Sequence, residues 1–176
     1  MEQRQHGAPS SQTVSSAHDD NQGSGRNSAS TAVAPANGLD LGGLRSALAT
    51  LNTRTRYRFT GVYRFDPPLL RNVGLYDREN PSLNLSGDIH LLVDTYCSIV
   101  KVAGRPFTTD DAPADPRLVA HSARNRIISY FGIPLRIAGE VRGVLCHFDG
   151  RPRFAPPGEV EFLTGIEPLL VNYLEH

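Results

Sequence analysis

The sequence predicts an α+β fold in which helices cover both faces of a central antiparallel sheet. Residues 57–65 alternate with a period of two, which is typical of a strand. Residues 127–138 and 141–148 are nearly continuously apolar, as expected for strands covered on both faces. Apolar residues also recur at helical spacing before, between and after these strands, so helices are available to cover the sheet.

The first predicted elements are a short amphipathic helix and a β-hairpin. The residues 57–65 form a half-exposed strand that ends at Asp66-Pro67-Pro68, because proline lacks the N–H that a strand needs. Residues 69–76 form a weaker strand, which we expect to be its hairpin partner. The helix that precedes this hairpin starts after Asp40, a candidate N-cap, and carries a stripe of four leucines. They are Leu41, Leu44, Leu48 and Leu51.

The middle of the chain is predicted to hold two helices separated by a short strand. Ser86 or Asp88 can cap the start of the first helix, and Gly104 can end it. Residues 106–109 form the short strand. Asp115-Pro116 supplies an N-cap and a first-turn proline for a second helix, which continues to about residue 125. The apolar face of the first helix consists of Ile89, Leu92, Val93, Tyr96, Cys97 and Val100.

The last third of the chain is predicted to form two central strands and a final helix. Residues 127–138 and 141–148 are joined by a tight turn at Gly139-Glu140. The helix runs from about residue 157 to 174, and Pro168 should bend it because proline removes one backbone hydrogen bond. Its buried stripe is predicted to consist of Phe162, Leu163, Ile166, Leu169, Leu170 and Tyr173.

The N-terminal segment differs sharply from the rest of the chain. Residues 1–38 contain no Leu, Ile, Phe, Tyr or Trp. Such a segment cannot bury enough apolar surface to offset about 1–2 kcal/mol of backbone entropy per residue. We therefore expect a disordered tail or linker over residues 1–38, followed by one domain over residues 39–176.

Charge and hydropathy narrow the possible functions. The 18 basic and 18 acidic side chains balance, which gives no electrostatic reason to expect a nucleic-acid or membrane partner. No apolar run approaches the roughly 20 residues of a membrane span, and the N-terminus lacks a secretory signal core. We predict a cytoplasmic protein in which Cys97 and Cys146 are reduced and buried.

Two motifs carry a resemblance to a known family. They read YFGIPL at residues 130–135 and GVLCHFD at residues 143–149. With the element order, they make residues 40–175 similar to a GAF domain, of the kind attached to bacterial histidine kinases and diguanylate cyclases or found alone. The resemblance implies a PAS-related fold with a ligand pocket between the sheet and its covering helices. It also implies a homodimer formed through the first and last helices.

The resemblance implies a sensory or regulatory domain that binds a small-molecule signal and relays it to a signalling partner. The loop around residues 108–111 supplies hydroxyls and carboxylates, and the following segment supplies cations from Arg117 and Arg124. The alternative is that the aspartates cap turns and both arginines are solvated. The predicted ligand contacts are Tyr96, Asp110, Asp111, His121 and Tyr130.

The two cysteines support alternatives to ligand sensing. The GAF family includes free methionine sulfoxide reductase, and Cys97 resembles one of its cysteines in position. The nucleophilic cysteine of that enzyme precedes the fourth strand, where residues 121–124 of this chain read HSAR. We therefore expect no enzyme, and retain Cys97 and Cys146 as candidates for a redox sensor or a reductase-like activity. A dimerisation or protein-interaction domain without a ligand is the third possibility.

No cofactor or metal is predicted. None of the six histidines lies at the close spacing of a local metal site. Cys146-His147 resembles a bilin-attachment pair, but it lies within an apolar strand and not on a helix.

The basic residues of the early segment are expected to form a solvated stripe along one strand face. These are Arg54, Arg56, Arg58 and Arg64.

Overall fold

The computed structural model describes residues 41–175, which contain a six-stranded antiparallel sheet and three α-helices. The strands are β1 (Phe59–Asp66), β2 (Leu69–Asp77), β3 (Ile89–Leu91), β4 (Phe107–Thr109), β5 (Ser129–Ile137) and β6 (Glu140–Asp149). The helices are α1 (Leu41–Thr53), α2 (Cys97–Ala103) and α3 (Glu159–Leu170). The strand order is β3-β2-β1-β6-β5-β4, and the predicted α+β class is confirmed. The predicted tail over residues 1–38 and the N-cap Asp40 lie outside the described residues.

Both predicted hairpins are present. β1 pairs with β2, and β5 pairs with β6. The β5–β6 turn consists of Ala138 and Gly139, one residue earlier than predicted, and both have positive φ (51° and 84°). Positive φ at both positions matches the twist of a two-residue hairpin, which explains why glycine occupies one of them.

Strand β1 was predicted to be half-exposed, and that prediction is wrong. Its middle residues, 60–63, are all buried because helices or loops cover both faces of the sheet. The prediction that the early arginines form a solvated stripe is also wrong for two of them, which form ion pairs. Arg58 forms an ion pair with Asp77, and Arg54 forms one with Glu159.

The predicted helix from Ile89 to Val100 is only partly present. Residues 89–91 instead form the edge strand β3, and a single 3-10 turn precedes α2. The backbone N–H of Leu92 donates to the carbonyl of Pro68, so tertiary pairing with the β1–β2 hairpin replaces helical hydrogen bonds here. Ile89 is consequently 51% exposed. Gly104 ends α2 with φ 59°, as predicted.

The predicted helix over residues 115–125 is also wrong. Two 3-10 turns occupy residues 112–118, followed by further turns. Pro113 and Pro116 supply no N–H, and the backbone bonds that form span only three residues. The predicted cap is present, since the Asp115 side chain accepts the N–H of Arg117.

Helix α3 ends at Leu170 and continues as a 3-10 turn over Val171–Leu174. Leu163, Leu170 and Leu174 are buried, whereas Leu169, predicted to be part of the stripe, is 72% exposed. None of the helices within residues 41–175 is both long and apolar enough to cross a membrane.

Two apolar layers cover the sheet. On one face, α1 and α3 pack on side chains such as Val62, Phe131 and Leu145. On the other face, α2 and the segment over residues 112–123 pack on Tyr63, Tyr130, Val144 and Cys146. The second layer contains the candidate site.

Candidate functional site

A cavity of about 430 Å³ lies between the sheet and the start of α2. This volume falls in the range of roughly 300–1,000 Å³ that is typical of small-molecule sites. Strands β1, β2, β3, β5 and β6 line it on the sheet side, and residues 94–97 and 126–127 line it opposite.

The floor of the cavity is aromatic and contains both thiols. The strand register places Cys146 between Gly61 on β1 and Gly132 on β5. A Cβ on Gly61 would lie 2.8 Å from Cε2 of Tyr63, and one on Gly132 would lie 2.7 Å from Cζ of Tyr130. Both glycines are therefore needed so that a tyrosine ring can lie on each side of Cys146.

Cys97 and Cys146 belong to one buried cluster that also contains Tyr130. The hydroxyl of Tyr130 donates to the sulfur of Cys97 over 3.4 Å. Burial acts to raise the pKa of Cys97, but the neighbouring Cys146 and Tyr130 side chains outweigh that effect, so the pKa lies below its usual value. Burial raises the pKa of Cys146. Negative charge in the pair is therefore favoured on Cys97.

The mouth of the cavity is polar and open to solvent. Ile89, His90, Leu91 and Arg126 line the cavity and are exposed. Arg126 Nη2 donates to the backbone carbonyl of Asp94 over 3.4 Å. Asp94 also lines the cavity, and its carboxylate accepts from the Ser122 hydroxyl over 2.9 Å. The mouth thus contains a guanidinium group and a carboxylate, which can orient a polar ligand above an apolar floor.

Known protein families and solved structures share this architecture. The family model of the GAF domain matches residues 43–166. This chain belongs to the GAF family. No match was found among curated proteins. Family membership supports a sensory or regulatory role in general.

The solved structures that share the GAF fold include enzymes and signalling domains. A type II free methionine-R-sulfoxide reductase from Thermoplasma acidophilum has a TM-score of 0.57 and 16% identity, covering 76% of this chain and 90% of its own. The free methionine-R-sulfoxide reductase from Neisseria meningitidis has a TM-score of 0.59 and 18% identity, covering 77% of each chain. The GAF domain of an Acinetobacter phosphoenolpyruvate-protein phosphotransferase has a TM-score of 0.56 and 15% identity, covering 77% and 82%. At these identities the likeness shows the fold alone.

Two of the predicted ligand contacts of the GAF domain, Tyr96 and Tyr130, line the cavity. The Tyr96 hydroxyl donates to the carbonyl of Ile127 over 3.1 Å, and burial, with a contribution from Asp115, raises the pKa of Tyr96 to about 12. His121 packs against the ring of Tyr96, with centroids 4.7 Å apart, and its Nδ1 accepts the N–H of Ala123. His121 therefore contacts a cavity residue but does not line the cavity.

The predicted aspartate contacts lie elsewhere. The carbonyl of Asp110 accepts the N–H of Arg153, and the carbonyl of Asp111 accepts the N–H of Ala114 in a 3-10 turn. Neither side chain lines the cavity. The structure thus brings together Tyr96, Tyr130 and both cysteines, while the aspartates occupy a separate loop.

Several cavity residues were not identified from the sequence. Tyr63 and Gly61 are two positions apart on β1, so they lie on the same face of the strand. This spacing is visible in the sequence and could have identified both as neighbours of Cys146, which pairs with Gly61. His90, Asp94 and Arg126 carried no such signal, because only the pairing of β3 with β2 and the turns after residue 112 bring them to one mouth.

The described residues contain no group of three His, Cys, Asp or Glu side chains that could hold a metal ion. His147 lies on the opposite face of β6 from Cys146, in the layer covered by α1 and α3. Its Nδ1 lies 2.7 Å from the hydroxyl of Thr60. Cys146 and His147 are neighbours in the sequence, but their side chains therefore face different layers.

Proposed function

We propose that this GAF domain is a sensory module that binds a small-molecule signal in the cavity between the sheet and α2. The observation that carries the proposal is the cavity itself. It has the volume of a metabolite site, an aromatic floor and charged groups at its mouth. Such a site holds an apolar or planar ligand body and orients its polar end.

The proposed contacts follow from the cavity lining. Tyr63, Tyr96 and Tyr130 offer ring surface for the ligand body, and Arg126 offers a guanidinium group for an anionic end. His121 supports Tyr96 from outside the cavity. Asp110 and Asp111 remain predicted contacts, and would reach a ligand only if their loop moved.

Native mass spectrometry tests the proposal. The purified chain is measured before and after exposure to pooled nucleotides, amino acids and tetrapyrroles. We expect one pool to leave a retained adduct of one ligand per chain. The absence of an adduct from every pool, with a folded chain, would favour the interaction domain without a ligand.

A homodimer is the proposed route for passing on the signal. Helices α1 and α3 cover the same face of the sheet, and α3 exposes Leu169 (72%) and Val160 (37%) to solvent. Burying these side chains against a second copy or a signalling partner would recover apolar surface. Light scattering tests the dimer, and a monomer at every concentration would contradict it.

Cytoplasmic location and the lack of nucleic-acid and membrane partners remain predictions from the sequence.

A reductase activity is the second candidate, favoured by two thiols that line one cavity in a fold shared with free methionine-R-sulfoxide reductases. Residues 121–124 contain no thiol, so we expect no turnover of free methionine-R-sulfoxide with a dithiol reductant. Turnover that is lost in the Cys97→Ser variant would establish the activity.

A further inference from the structure

The two thiols come from different secondary-structure elements and line one cavity. Cys97 begins α2 and Cys146 lies within β6, and both are free and buried. Tyr130 donates a hydrogen bond to Cys97 over 3.4 Å, and its ring lies across Gly132, the β5 residue paired with Cys146. Both thiols belong to the same core cluster and line the same cavity, which makes them candidates for a bond that requires Cα atoms within about 7 Å of each other.

The position of Tyr130 depends on a neighbouring glycine. Its ring lies across Gly132, where any Cβ would overlap the ring. This packing aims the hydroxyl at the sulfur of Cys97. An O–H donor stabilises a thiolate more than a thiol, so the arrangement favours ionisation of Cys97.

The thiols are reached through the cavity and not from the outer surface. Cys97 is 4% exposed and Cys146 is 1% exposed, yet both line the cavity below the exposed residues of the mouth. A small oxidant can enter such a space, whereas a macromolecule cannot. The cavity therefore selects for small reagents.

We propose that Cys97 and Cys146 form a reversible disulfide when a small hydroperoxide enters the cavity, with Cys97 attacking and Cys146 resolving. The inference does not depend on the proposed ligand. It adds an oxidation site to the floor of the cavity, and the resulting bond would tie α2 to β6.

The chemistry balances in two steps. The Cys97 thiolate attacks the hydroperoxide, the O–O bond breaks, and an alkoxide (or hydroxide) leaves and takes the proton that Cys97 released. Cys97 becomes a sulfenic acid. The Cys146 sulfur then attacks the Cys97 sulfur, the S–O bond breaks, and hydroxide leaves with the Cys146 proton as water. The two thiols lose two electrons, which the hydroperoxide gains, and a dithiol reverses the disulfide by exchange.

Oxidation of the full chain with hydrogen peroxide tests the proposal. After exposure, the chain is denatured, alkylated with iodoacetamide and mapped by mass spectrometry. We expect one crosslink between Cys97 and Cys146 within a single chain, no alkylation at either, and full reversal by dithiothreitol. Both thiols alkylated after exposure, or a crosslink only between chains, would overturn it.

Two serine variants test which thiol attacks. In Cys146→Ser, peroxide with dimedone should label Cys97 as a sulfenic acid. In Cys97→Ser, Cys146 should stay unlabelled under the same conditions. Equal or faster labelling of Cys146 would overturn the assigned roles. Thermal unfolding verifies that both variants are folded.

A tyrosine variant separates this role from packing. Tyr130→Phe should slow crosslinking about tenfold, the change that corresponds to one pKa unit of lost thiolate stabilisation. Tyr57→Phe is the matched control, because its hydroxyl lies 3.5 Å from the carbonyl of Arg153 in the other layer. Equal rates in both variants would show that Tyr130 does not activate Cys97.

Discussion

The ring of Tyr130 lies across the backbone of Gly132, and a Cβ on Gly132 would be 2.7 Å from Cζ of that ring. No positive φ is involved at Gly132, so the requirement for glycine is one of space and not of backbone conformation. This packing contact also matters for the candidate site, because the Tyr130 hydroxyl lies 3.4 Å from the sulfur of Cys97.

Replacing Gly132 should therefore destabilise the domain. We expect Gly132→Ala to lower the free energy of unfolding by about 1–3 kcal/mol, as for other overpacked cores. Urea denaturation measures the change. Gly150→Ala is the control, since no atom lies within 4 Å of its Cβ position. In a Tyr130→Leu background the cost of Gly132→Ala should fall, and an unchanged cost would contradict the packing argument.

His147 should make the domain less stable as the pH falls. The Asn52 amide donates to the Thr60 hydroxyl over 2.8 Å, and that hydroxyl lies 2.7 Å from His147 Nδ1. Burial, with contributions from Arg54 and Arg78, lowers the pKa of His147 from 6.5 to about 3. Below pH 6.5 the unfolded chain therefore takes up a proton that the folded chain does not.

The stabilising contribution of neutral His147 is present above pH 6.5 and is lost as the pH falls towards 3. The free energy of unfolding should drop by up to about 1.4 kcal/mol per pH unit from this group. Denaturation between pH 6.5 and 5 measures it, above the range in which the carboxyls of Asp77 and Asp115, with pKa lowered from 3.8 to about 2, contribute to the slope. His147→Gln should flatten the slope. A slope unchanged by His147→Gln would contradict the assignment.

Arg54 and Glu159 should be coupled across the end of α1 and the start of α3. Arg54 Nη2 lies 3.0 Å from a Glu159 carboxylate oxygen, and the guanidinium stacks 3.5 Å from the Phe162 ring. The Glu159 side chain is fully buried, so Arg54→Leu leaves its charge without a partner. We expect a loss of about 1–3 kcal/mol, less than for a fully buried pair because Arg54 is 40% exposed.

A double-mutant cycle checks this coupling. If the pair is coupled, adding Glu159→Gln to Arg54→Leu should cost less than Glu159→Gln costs in the unchanged chain. Additive losses would show that the two side chains act independently.

Gly165 is predicted to be a site at which stability can be gained. It lies inside α3 with no atom within 4 Å of its Cβ position and without a positive φ. Gly165→Ala should raise the free energy of unfolding by about 0.5–1 kcal/mol, because alanine has the higher helix propensity. Thermal unfolding measures the gain. A loss of stability would indicate that this face of α3 is covered, as in a tight dimer.

The strands were predictable because their signals are local. Alternation at residues 57–65 and the apolar run of residues 141–148 each report the sheet directly. The segment from Ile89 to Val100 was wrongly predicted as one helix, because the structure of its first residues depends on a non-local contact. Its apolar residues have helical spacing, but the pairing of β3 with β2 depends on residues about 20 positions earlier. Local spacing carries no information about that partner.

The candidate site was predictable only where the strands determine it. Tyr130 and Cys146 lie on well-predicted strands, and both line the cavity. Asp110 and Asp111 were chosen by their chemistry in a loop, where turn geometry decides which way a side chain points. The carbonyl of Asp110 accepts from Arg153, which holds that loop outside the cavity lining.

The most direct test of ligand binding in the cavity uses two tryptophan variants. Ile89 lines the mouth, whereas Val93, also exposed, does not line the cavity. Native mass spectrometry compares Ile89→Trp and Val93→Trp with the unchanged chain, using the ligand pool that gives an adduct. We expect Ile89→Trp to lose the adduct and Val93→Trp to keep it. Retention of the adduct by a folded Ile89→Trp at unchanged affinity would show that the ligand binds elsewhere.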